Sequence, residues 1–187
     1  MDIRHHKSNM PPTPIAMSQI CLRPFDVGAA LRLLLVPEDR FEPMSQALVT
    51  STSAVHRAVN RLRHAGICKP ASRSIDVDAL VEFATCAVPY VFPAVRAGTT
   101  SGMPTAFAHS DWSSLSSGAE TLVWPSKNYP VQGTALIPLF PGAPHVCMLD
   151  ARMHRLLALV DAMRTARGEM RQIVRERLST VLATLHA

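Results

Sequence analysis

Cysteine is scarce and poorly spaced for metal chemistry. Cys21, Cys68, Cys86 and Cys147 never form a CxxC pair. His145 and Cys147 offer two ligands with nothing nearby to complete a set, so no metal is expected and buried reduced thiols are. Long hydrophobic runs are missing too. Ala29–Val36 is too short to span a membrane and contains Arg32, and no secretory signal is visible, which points to a cytoplasmic protein without a membrane partner. Catalytic motifs are also missing. There is no GxSxG, Walker loop or HExxH. His109-Ser110-Asp111 is adjacent in sequence, but a triad is assembled by the fold and not by adjacency. The GTTSG run, Gly98–Gly102, lacks the lysine and following helix of a phosphate loop and reads as a turn. No enzyme, catalytic residue or cofactor is expected.

Acid is absent where it matters most. Net charge is +5, yet from Pro43 to Ser74 there are Arg57, Arg61, Arg63, Lys69 and Arg73 and no Asp or Glu, while the remainder is balanced. The whole excess is therefore local, which suits a polyanion better than a general basic bias. Hydrophobic residues make up 48% of the chain and charged ones 18%, enough to bury a core.

Against these absences, Pro43–Ile67 stands out. It reads as two short helices, Met44–Val49 and a second from Ser51 to Ala65, joined by a turn without glycine and closed by Gly66. Ser51 is a good N-cap. Val55, Val59 and Leu62 form one apolar stripe. The opposite face carries Ser53, His56, Arg57, Asn60, Arg61 and His64, as a helix in a DNA major groove requires. A helix over Pro24–Val36 precedes the pair, completing a three-helix core. Ile67-Cys68 begins a strand, and Lys69–Ser74 is a short basic loop.

The run SQALVTSTSAVHRAVNRLRHAGI, Ser45–Ile67, resembles winged helix-turn-helix regulators of the MarR and Lrp type. The resemblance implies that Ser51, Thr52, Ser53, His56, Arg57, Asn60 and Arg61 face DNA. The wing is short, which departs from the family pattern. On chemistry, Arg57 and Arg61 can read guanine and Asn60 adenine, while Ser51, Thr52, Lys69 and Arg73 suit phosphates. VDALVEFATCAVPYVFPA, GMPTAFAH, VWP, GTALIPLF and RLLALVDAMR resemble a group of uncharacterised bacterial proteins with an N-terminal helix-turn-helix. That likeness bears on architecture alone.

The expected fold is mainly α with minor β. Residues 1–20 form a flexible arm, 21–76 the winged helix-turn-helix domain, and 77–187 a helical extension. Within the extension, Val77–Val88 is a helix ended by Pro89, and Pro89–Asp150 is irregular with a few short edge strands. DWSSLSSGA, Asp111–Ala119, is a mobile loop. Leu149–Leu185 is a long helix with a possible break at Gly168. Its stripe could pack on its own domain or form a dimer seam. Tyr90, Phe92, Trp124 and Tyr129 fill the core or line a pocket.

The expected function is a bacterial, sequence-specific double-stranded DNA-binding transcription regulator, working as a homodimer. One rival is an antitoxin or adaptor that grips a partner protein with the middle segment and terminal helix. Another is a regulator that senses an apolar effector there.

Overall fold

The computed structural model describes residues 20–112, 118 and 120–185. Residues 1–19 of the expected arm, and residues 113–117 and 119 of the expected loop, lie outside them. The described chain is mainly helical with one small sheet.

The N-terminal helices are α1 (Pro24–Leu35), α2 (Phe41–Ala47) and α3 (Thr52–His64). Pro24 opens α1, where its missing N–H costs nothing. Asp26 accepts from the Arg23 N–H at 2.9 Å. Arg32 Nε donates to Asp39 at 2.8 Å and fixes the turn out of α1. Ser51 caps α3, its hydroxyl accepting from the Ala54 N–H at 3.2 Å. Val55, Ala58, Val59 and Leu62 are buried, as the apolar stripe demands. A small hairpin follows, closed by Lys69 N–H to Ser74 O and Asp76 N–H to Ile67 O, both 2.9 Å.

Asp76 then caps α4 (Val77–Glu82), accepting from the Ala79 N–H at 3.1 Å. The helix does not end at Pro89. It widens into a π turn over Phe83–Ala87 and finishes with α5 (Val88–Val91). The Val88 N–H reaches back to the Phe83 carbonyl. This wider turn re-spaces the ladder around Pro89, which has no N–H to give.

The middle segment is more ordered than its prolines suggest. β1 (Arg96–Thr105), β2 (Leu122–Pro125) and β3 (Val131–Leu136) close on one another. β1 runs antiparallel to β3 through its first half and to β2 through its second. β2 and β3 are parallel. GTTSG is therefore strand and not turn. Gly102 pairs with both Pro125 and Val131, and a Cβ there would overlap the Trp124 carbonyl. Glycine is required for close approach rather than for a bend.

The terminal helix expected over Leu149–Leu185, with a break at Gly168, is two helices with a third before them: α6 (Ala143–Leu149), α7 (Ala151–Thr165) and α8 (Gly168–Thr184). The break falls at Ala166-Arg167, and Gly168 takes a positive φ of 55°. α7 is buried from Leu156 to Thr165 and packs against α1, β1 and α6, so it is a core element and not an exposed stripe. α8 turns Val174, Leu178 and Leu182 inward, against α4, the π turn and α7. Trp124 is buried and Phe92 and Tyr129 pack on the core, whereas Tyr90 is exposed.

A polar hub lies inside this apolar shell. Asp161 is wholly buried on α7. It pairs with Arg164 and accepts from Thr105 Oγ1 at 2.9 Å and Trp124 Nε1 at 2.7 Å. Arg164 also donates to the carbonyls of Phe92 (2.8 Å) and Pro93 (3.0 Å). One carboxylate thus ties α7 to two strands, and its partner ties α7 to the loop after α5.

Candidate nucleic-acid interface

The candidate surface starts at the turn between α2 and α3. Without glycine, that turn uses Val49 at φ 52°. The Thr50 N–H bonds the Ser45 carbonyl at 2.9 Å and the Val49 N–H bonds Gln46 at 3.1 Å, which caps α2. A β-branched residue is strained in this left-handed conformation, at a cost of about 1–2 kcal/mol. Val49 is exposed, so little packing opposes its removal. Val49→Gly is expected to raise stability by about 1 kcal/mol in a urea melt. An unchanged midpoint would mean that the turn is relaxed.

From this turn α3 presents Ser51, Thr52, Ser53, His56, Arg57 and Asn60 to solvent. Ser51 is partly occupied as the cap, and Thr52 lies 3.3 Å from the Ser45 hydroxyl. His56 stacks on Phe41 at 3.6 Å between ring centroids. Its ring is held against α2 rather than free to search a groove. Arg57 is in no ion pair among the described residues. Lys69 is exposed on the hairpin.

Arg61 corrects the expectation that it faces outward beside Arg57. It is 5% exposed, and its guanidinium grips Asp26 through Nε to Oδ2 (2.7 Å) and Nη2 to Oδ1 (2.6 Å). Position 61 follows the buried Ala58 by three residues, so it lies at the edge of the buried face. There, a wholly buried carboxylate pulls it in. Arg73 is a second correction. It folds back on the α1–α2 turn, donating from Nε to the Asp39 carbonyl at 2.8 Å and from Nη2 to the Glu38 carbonyl at 3.0 Å. It also lies 5.3 Å from the Phe41 ring centroid. Phe41 thus joins the hairpin, through Arg73, to α3, through His56.

Arg63 is the residue that charge patterning alone did not place. Its Nη2 donates to the Ser72 carbonyl at 3.0 Å, and Nη1 lies 3.5 Å from the Asn60 amide oxygen. It braces the hairpin against α3. Arginine three residues after Asn60 was the available signal.

His109, Asp111 and His154 form a cluster elsewhere, with His109 Nδ1 3.9 Å from an Asp111 carboxylate oxygen. The Asp111 N–H donates to His109 Nδ1 at 3.2 Å, and the Asp111 carboxylate is taken by Arg155 at 2.7 Å. The His109 ring stands edge-on to His154 at 4.6 Å, and His154 Nε2 bonds the Pro104 carbonyl at 2.8 Å. Burial holds both imidazoles below the ordinary histidine value of 6.5, with His154 adding to the effect on His109 and the Pro104 bond opposing it on His154. On acidification the unfolded chain takes up these protons first, so stability is present above about pH 7 and falls as pH drops through the ordinary histidine range. The urea midpoint is expected to fall between about pH 7 and pH 5.5. His154→Gln should flatten that slope, and a slope equal to wild type would assign it to other groups.

Comparison with family models, with curated proteins and with solved structures finds no match for the chain. None of the described helices is long and apolar enough to cross a membrane.

Proposed function

We propose that this chain is a transcription regulator that binds double-stranded DNA through a winged helix-turn-helix, with α3 as the recognition helix and the Ile67–Asp76 hairpin as a minimal wing. One observation carries the reading. α3 buries Val55, Ala58, Val59 and Leu62 and leaves Ser51, Thr52, Ser53, His56, Arg57 and Asn60 exposed, with no carboxylate on that helix. Arg57 and Asn60 are the base readers, through guanine O6/N7 and adenine N6/N7. Ser51, Thr52 and Lys69 contact phosphates and set the register. In this scheme Arg61 is not a base reader and Arg73 not a phosphate contact, because each is held within the fold through Nε and Nη2. The reader is a homodimer, with its two recognition helices about 34 Å apart on a two-fold operator.

Arg57→Ala is expected to weaken binding to a selected site by about 1–3 kcal/mol and to relax preference at one base position. Equal loss on specific and random DNA would reassign Arg57 to the phosphates. The reading as a whole is tested by selecting DNA from a random pool at moderate salt and titrating the winner with salt. A recovered palindrome supports it, and no enrichment overturns it.

A second reading, an antitoxin-like adaptor that holds a partner protein, is favoured by one feature. The exposed side chains of Val91, Val95 and Ile137 line a single cleft with Pro93 and Pro138. Exposed apolar groups gathered in one place mark interaction surfaces. Co-elution of a protein from the native host, together with no retention of naked DNA, would favour it.

A further inference from the structure

A groove of about 390 Å³ lies where α3 ends against α4 and its π turn. Its walls are apolar: Leu22 before α1, Ala65 and Ile67 at the end of α3, and Ala79 and Phe83 from the α4 segment. Among the described residues, one that lines it is charged, Glu82. Its volume falls within the range of small-molecule sites.

Glu82 is exposed and makes no ion pair among the described residues. Two arginines of α3 are engaged elsewhere, Arg61 on Asp26 and Arg63 on the Ser72 carbonyl. An apolar guest that covered this carboxylate without answering its charge would desolvate it uncompensated. An anionic guest would be repelled. A guest with an apolar body and a positive head satisfies both the walls and the acid, and the Phe83 ring adds a cation–π surface. The geometry points to a binding site for small hydrophobic cations, such as aralkylammonium ions, in this groove. The site does not depend on DNA being the partner of α3.

The test is calorimetric titration of the full chain with benzyltriethylammonium, alongside benzyl alcohol and benzoate, which share its aromatic body without its charge. The cation is expected to give saturable binding with one site per chain at millimolar concentration, with the alcohol weaker and benzoate inert. Glu82→Gln should weaken the cation about fivefold and leave the alcohol unchanged, while Glu169→Gln, an exposed acid on α8, should change neither. Glu82 is exposed, so its substitution leaves the core intact, and an unchanged thermal midpoint without ligand checks this. No saturable heat with the cation, equal affinity for benzoate, or cation affinity indifferent to Glu82→Gln would each overturn the assignment.

Discussion

Asp161→Ala is expected to lower stability by about 3–5 kcal/mol in a denaturant melt, the range for stripping a buried charge of its partner. The side chain is wholly buried, and so is most of Arg164. With the carboxylate gone, Arg164 keeps the carbonyls of Phe92 and Pro93 but has no counter-charge. The Thr105 hydroxyl and the Trp124 indole N–H lose their acceptor at the same time. An unsatisfied buried donor costs about 1–3 kcal/mol. Asp161→Asn retains an acceptor oxygen and the volume, so its loss should be smaller. Glu120→Ala provides the contrast. Its pair with Arg96 is half-exposed on both sides, and exposed pairs contribute about 0–1 kcal/mol. If Asp161→Ala cost no more than Glu120→Ala, the hub would not be joining α7 to the strands.

The same residue shows what could and could not be read from the chain. RLLALVDAMR places one carboxylate in an apolar helix, and Arg164 three residues on is its nearest candidate partner. An acid so placed announces a buried pair. Its partners Thr105 and Trp124 are 56 and 37 residues away, and no local pattern links them. Local signals gave the three N-terminal helices, the Ser51 cap and the buried stripe of α3. They misled where backbone geometry was unusual. Pro89 sits inside a helix because the π turn accommodates it. Gly98–Gly102 is strand because Thr99–Gly102 pair with β3, with Gly102 also passing close to the Trp124 carbonyl. The candidates Ser51, Thr52, Ser53, His56, Arg57, Asn60 and Lys69 are exposed, with the His56 ring held on Phe41. Arg61 and Arg73 are drawn inward: helical spacing gives Arg61 its side of α3 but not the distant carboxylate that claims it, and no local pattern ties Arg73 of the hairpin to the α1–α2 turn.

Asp26→Ala is the second large effect, again about 3–5 kcal/mol. It tests what Arg61 does. The pair is bidentate and almost dry, and it joins α1 to α3 across 35 residues of sequence. Truncating Asp26 leaves a guanidinium buried without its anion. It also frees the Arg23 N–H that the carboxylate accepts at the start of α1. Arg61→Ala leaves the acid buried instead and should cost a similar amount. Replacing both residues by apolar ones of similar size, Asp26→Leu with Arg61→Met, should recover most of either loss, because a buried pair is costly to break and much less costly to replace. The two single losses should then exceed the double by more than about 2 kcal/mol. DNA affinity separates positioning from reading. If Arg61 only sets the angle of α3, the double variant regains the selected site with its base preference unchanged. If Arg61 reads a base, the double variant folds yet loses preference at one position, as Arg57→Ala is expected to do.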